Sequence, residues 1–180
     1  HDWLKKHMPD DRSVTFTDVT NAVGVLVLAG PKARDVLQKL TRTDLSSASF
    51  PWLSAKQIDV NLAPSVAARV NFVGELGWEL HHPIEYQNHI FDALMSAGVE
   101  FGLKPFGIRA MDAMRLEKSY RMVGTEMSIE YAALESGLDR FVQLQKPDFI
   151  GRSGLLAWQE KGFANSFVTL EVKDTTDRDV

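Results

Sequence analysis

Hydrophobic and polar positions along the chain change period several times, and each change marks an element. Residues 3–8 suit a short helix stopped by Pro9, after which Asp10-Asp11-Arg12-Ser13 reads as a turn. Val14, Phe16 and Val19 alternate as an edge strand would. The apolar run Val23-Gly24-Val25-Leu26-Val27-Leu28-Ala29 is far too short to cross a bilayer, and its Gly30-Pro31 ending punctuates it as a buried strand. Proline is tolerated in the first turn of a helix, and Ala33, Val36, Leu37 and Leu40 recur at helical spacing, so a strand–turn–helix unit is expected.

Residues 56–62 and 66–73 have strand-like content interrupted by Pro64, which predicts a hairpin. After a turn at 74–77, residues 78–81 continue as a short strand. Tyr86, Ile90, Phe91, Leu94 and Met95 then form an apolar helical stripe that stops at Gly98. A second helix is expected over 106–120, with Ile108, Met111 and Met114 on one side and Arg109, Asp112 and Arg115 spaced by three. That spacing lets the carboxylate reach either guanidinium. Residues 124–138 are irregular, 140–144 read as a strand, 151–161 as a helix and 167–172 as a strand, and the charged stretch 173–180 is expected to fray. Strands joined by tight turns and interleaved with helices predict an α+β fold, with a mixed or antiparallel sheet and packed helices rather than a doubly wound sheet.

Composition narrows the partners. The 20 Lys and Arg against 24 Asp and Glu leave a net charge of -4, so the positive field that gathers nucleic acid is missing and a small-molecule partner is expected. Hydrophobic residues at 44% and charged residues at 24% are ordinary for a globular domain, and the length suits one domain or one domain with part of another. The absence of cysteine excludes a disulfide framework, thiolate metal sites and a cysteine nucleophile together, and is consistent with a reducing compartment. No membrane span is read from the sequence. The start at His1-Asp2-Trp3, without a leader or initiator Met, reads as a cut inside a longer product.

Two segments can carry chemistry. In Gly74-Glu75-Leu76-Gly77-Trp78-Glu79-Leu80 the glycines permit a tight turn, and period-two geometry puts Trp78 and Glu79 on opposite faces, one of them inward. If the inward residue is Glu79, its two oxygens match two parallel donors, such as the 2-amino and N3–H edge of a pterin. The plain alternative is a hairpin with solvated glutamates. In Arg109 to Lys118, an arginine held by Asp112 would present a fixed fork to an acidic or planar ligand, or simply belong to a salt-bridge ladder. His81 and His82 point apart on a strand and are poor joint metal ligands, so no metal site is assigned. No phosphate-cradling glycine loop or nucleophile elbow is present.

The order of segments carries more than any one of them. Asp18-Val19-Thr20, Leu28-Ala29-Gly30-Pro31-Lys32-Ala33-Arg34, Asp44-Leu45-Ser46, Phe50-Pro51 and Gly74 to Leu80 are followed by Gly102-Leu103-Lys104-Pro105, Asp112 to Lys118, Leu134 to Leu138 and Asp148 to Arg152. This series resembles the glycine-cleavage T-protein (aminomethyltransferase) family. His1-Asp2-Trp3, Pro9-Asp10-Asp11, Trp78 and Tyr120-Arg121 resemble the branch fused to flavin-dependent dimethylglycine and sarcosine dehydrogenases.

The resemblance implies a folate-binding fold truncated at both ends: residues 1–145 would be the central part of the folate-binding domain, and 146–180 a connecting helix with the first strand of a truncated carboxy-terminal barrel. It implies tetrahydrofolate as cofactor, with FAD only in a flavin domain fused upstream, and an N-methyl amine or aminomethyl donor as the one-carbon source. Neither nucleic acid nor membrane is implied as a partner. It assigns folate contacts to Glu79, at the second Glu of G-E-x-G-x-E, with Trp78 beside it, and to Arg109. The stand-alone enzymes carry the arginine immediately before the Asp of D-x-x-R-L-E, which is Met111 here. The family's catalytic aspartate precedes the matched region, so no catalytic residue is assigned in this chain, and the chain alone is expected to be inactive. The cytoplasm, or the mitochondrial matrix in a eukaryote, is the expected compartment. A non-catalytic folate-binding or docking module is the competing reading. The related iron–sulfur maintenance proteins carry K-G-C-Y-x-G-Q-E, which a cysteine-free chain does not match.

Overall fold

The computed structural model describes residues 1–171, which fall into two compact units, His1–Ile108 and a second beginning at Arg109. The first unit opens with a short helix α1 (Asp2–Lys6) and then builds a sheet from β1 (Val23–Ala29), β2 (Ala55–Val60), β3 (Ala63–Ala68) and β4 (Gly77–Pro83). The strands lie in the order β1-β4-β3-β2 and every neighbouring pair is antiparallel. This is the α+β arrangement of an antiparallel sheet with helices.

Register decides which side chains become core. Leu28 lies opposite Trp78, Leu26 opposite Leu80 and Gly24 opposite His82. Ala67 joins them on β3, with Ile58 and Val60 on β2. Onto this face pack α2 (Ala33–Gln38), through Ala33, Val36 and Leu37, and α3 (Gln87–Gly98), through Ile90 and Leu94. Leu45 and Phe50, from the connection between α2 and β2, close the core. Each large side chain enclosed here contributes about 1.5–3 kcal/mol relative to exposure.

Several expectations need correction. Residues 13–19 form no strand; Asp11 and Asp18 each bind the backbone two residues on, and Val14 and Val19 are exposed, because an alternating pattern without a neighbouring ladder has nothing to pair with. The run 23–29 is a strand at the sheet edge rather than a buried one: Gly24 and Leu28 face the core while Val23, Val25 and Val27 are exposed. Pro64 does not interrupt the hairpin but lies within β3, opposite Asp59. Alternation from the turn-closing pair Val60–Ala63 turns its ring nitrogen away from β2, and the ladder with β4 runs only from Val66 to Ala68, so no bond is lost. The strand expected over 66–73 accordingly lies at 63–68.

In the second unit, α4 (Ile108–Glu117, entered one residue before the boundary) and α5 (Arg152–Lys161) agree with the helical spacing, but residues 139–141 make a 3-10 turn where a strand was expected. Residues 167–171 form no strand, and 172 and the stretch 173–180 lie outside the described residues. Among the described residues, no helix is long and apolar enough to cross a membrane.

Candidate functional site

The turn before β4 is built by residues that tolerate its geometry. Gly74 adopts φ +72, a left-handed conformation that suits a residue without Cβ, and Asn71 ties the turn by accepting from the Val73 N–H at 2.9 Å and donating to the Glu75 carbonyl. Gly77 has a different reason: a Cβ there would stand 2.5 Å from the Leu28 carbonyl oxygen, so β4 could not approach β1.

From Gly77 the period of two takes over. Trp78 is the inward residue and Glu79 is not, which corrects the inward-carboxylate alternative. The Trp78 ring is completely buried, edge-on to Phe50 at 6.1 Å between centroids. A ring with no accessible face cannot lie on a ligand in this structure; what Trp78 does is anchor β4 beneath Glu79. Glu79 points from the opposite face of the sheet, between Val27 on β1 and Ala68 on β3. Its side chain is one-third exposed, and Oε2 meets His81 Nε2 at 3.2 Å. Among the described residues Oε1 has no protein partner, so the carboxylate retains acceptor capacity for an N–H-rich ligand edge. Exposed Val25, Val27 and Val66 flank it on the same face. Sequence reasoning assigned His81 no part beside Glu79, although i,i+2 spacing on a strand puts both on one face.

The second unit holds Arg109 exposed in the first turn of α4, and Asp112 does not hold it. Asp112 accepts instead from Arg115 Nε at 2.6 Å. Arg115 is buried and donates through Nη1 to the Tyr120 carbonyl and to Glu126 Oε2, each at 2.9 Å. Bonds from Glu126 and Asp112 hold its guanidinium above its usual range despite burial. Burial pushes the Glu126 carboxyl upward, but the N–H of Met122 and the Arg115 guanidinium outweigh it and leave the group below the ordinary carboxylate value. This clamp is structural, and Arg109 takes no part in it. The same unit carries an open apolar cavity of about 590 Å³ lined by Val123, Met127, Ile129, Tyr131 and Leu138, which the irregular pattern of 124–138 did not foretell.

With this geometry in place, comparison with known proteins identifies the class. Residues 1–146 match the family described as GCVT N-terminal domain, and the chain belongs to that family. It is 46% identical over 158 residues to human mitochondrial dimethylglycine dehydrogenase, a match covering 87% of this chain and 18% of that protein. It is 34% identical over 172 residues to the aminomethyltransferase of Thermoanaerobacter sp. (strain X514), covering 94% of this chain and 46% of that one. The mouse mitochondrial pyruvate dehydrogenase phosphatase regulatory subunit is 35% identical over 162 residues, covering 89% of this chain and 18% of that protein. The chain thus spans less than half the length of each of these relatives.

Proposed function

We propose that this chain is the folate-binding portion of a tetrahydrofolate-dependent one-carbon transferase, and that its parent couples it to a flavin-dependent dehydrogenase acting on an N-methyl amine such as dimethylglycine or sarcosine. The observation that carries this reading is Glu79: a carboxylate on the segment Gly74 to Leu80, two-thirds covered, with one oxygen steadied by His81 and the other unengaged. Bound tetrahydrofolate would supply the nitrogen that accepts the one-carbon unit. The residues of this chain bind and orient it: Glu79 accepts from the N–H groups of the pterin edge and Trp78 fixes the strand that presents Glu79, while family resemblance adds a folate contact at Arg109. Positioning of this kind lowers the entropic part of a barrier, while the charge-stabilising acid that family resemblance implies is a separate requirement. The domain boundary near 145/146 and a matrix or cytoplasmic location belong to the same proposal.

Isothermal titration of tetrahydrofolate tests it. Glu79→Ala is expected to weaken binding by about 1.5–3 kcal/mol, the usual cost of a lost charged hydrogen bond. Equal affinities in the two proteins would remove Glu79 from the site.

The regulatory-subunit relative favours a second reading, a folate-binding or docking module without catalysis of its own. Full activity in a full-length parent carrying both Glu79→Ala and Arg109→Ala would support that reading against the first.

A further inference from the structure

Among the described residues, a separate corner of the first unit brings two arginines to one hydroxyl without an ion pair to either. Arg34, on α2, donates Nε to the Leu45 carbonyl at 2.9 Å and Nη2 to Ser47 Oγ at 3.1 Å. Arg69, just past β3, donates Nη1 to the Phe50 carbonyl and Nη2 to the same Ser47 oxygen at 3.3 Å. Their guanidinium carbons lie 6.0 and 5.9 Å from the centroid of the buried Trp78 ring. Two like charges therefore converge on one exposed hydroxyl beside the core. Among the described residues neither arginine forms an ion pair.

Lys56, with Nζ 5.4 Å from the Phe50 ring centroid, is a counter-charge to Asp44. Asp44 is the acid of the Ser47 loop, but it is occupied by the Ser46 N–H at 2.8 Å and by the hydroxyls of Ser46 and Ser49 at 3.1 and 2.5 Å. The Ser49 hydroxyl is the chief reason its carboxyl lies below the usual range. Ser47 itself is exposed, and with both lone pairs taken by the arginines its O–H is free to donate outward. Arg69 Nε is buried and has no partner. Each fork is thus pre-oriented by a backbone carbonyl, and the donors left for a ligand are the remaining Nη hydrogens and not the buried Nε of Arg69.

We propose that Arg34, Arg69 and Ser47 form a binding site for a phosphate group. A doubly charged tetrahedral oxyanion answers two guanidiniums and an outward hydroxyl at once, and it cancels the repulsion between the forks. The overall charge of -4 makes general anion attraction a poor substitute for these specific donors. The site is independent of the folate reading.

The test is a titration of the 180-residue chain with inorganic phosphate against chloride at matched ionic strength and neutral pH. It is followed by the arginine Nε–H resonances and by thermal unfolding. Saturable shifts of Arg34 and Arg69 with a common midpoint are expected, together with a rise in unfolding temperature of about 3–5 °C at ten times the half-saturating concentration. Arg34→Gln should abolish saturation, and Ser47→Ala, which leaves both carbonyl anchors in place, should weaken binding about three- to tenfold. Glycerol phosphate in place of phosphate separates the sources: tighter binding assigns the site to an organic ester, equal or weaker binding to the free ion. Shifts that fail to saturate, that chloride reproduces, or that persist unchanged in both variants would mean that the arginines only brace the loop, and would overturn the proposal.

Discussion

Arg115 shows how one buried charge organises its neighbourhood. Its side chain is 4% exposed, and removing the guanidinium would leave Glu126, itself only 19% exposed, without its counter-charge. Arg115→Met is therefore expected to destabilise the second unit, seen as a lower midpoint in urea unfolding. The pH dependence has a definite sign. Because the folded-state Glu126 carboxyl lies below its ordinary value of 4.5, its contribution is fully present above that pH and is lost as pH falls through the folded value. Glu126→Gln should flatten the acid limb of a stability–pH curve while leaving its shape near neutrality unchanged. The sequence offered Asp112 to either Arg109 or Arg115; helical spacing allows both, and only the position of Glu126 on the following loop draws Arg115 inward and decides the pair.

Among the elements, the β2–β3 hairpin carries a local conflict. Its two-residue turn has φ +47 at Asn61 and +72 at Leu62, as a type I′ turn requires; Asn tolerates this, but Leu, 90% exposed, gains nothing for it. Leu62→Gly is expected to stabilise the chain by about 0.5–1 kcal/mol, the relief of left-handed strain less the added unfolded-state freedom. On β1, Gly24 has the opposite character. A Cβ there would stand 2.4 Å from Gln87 Oε1 and 2.7 Å from His82 Nε2, so Gly24→Ala must displace the Gln87–His82 contact. A loss of about 1–3 kcal/mol is expected in thermal unfolding, because His82 is buried and cannot find water instead. Turn and helix positions were legible here from glycine, proline and apolar spacing, whereas the second strand of the hairpin, expected at 66–73, lies at 63–68. Nor was the side chosen by each strand face legible, since an apolar run reads alike at an edge and in the middle of a sheet.

For the molecule as a whole, the residues of the main hydrophobic core, from Leu28 to Leu94, lie in the first unit. A chain ending at Ile108 is therefore expected to retain a cooperative thermal transition, and the slowest hydrogen exchange in the intact chain should map to β4, which is paired on both sides, and to α3. A broad, non-cooperative melt of the shortened chain would show that the first unit does not fold alone. The family was legible from the order of short segments spread over most of the chain, among them the turn at 74–77 whose geometry restricts the residues able to fill it.

What the sequence determined by itself was the kind of chain and its local grammar: a cysteine-free α+β domain, strand–turn–helix at 23–38, the turn at 74–77, and the alternation that must separate Trp78 from Glu79. Tertiary structure decided which of those two faces the core, that Pro64 sits harmlessly in a ladder, and that Arg34 and Arg69, distant in sequence, meet at Ser47. The reason is the range of the forces. Backbone sterics and periodicity act over a few residues and are written locally, whereas burial and electrostatic pairing depend on which surfaces the folded sheet brings together.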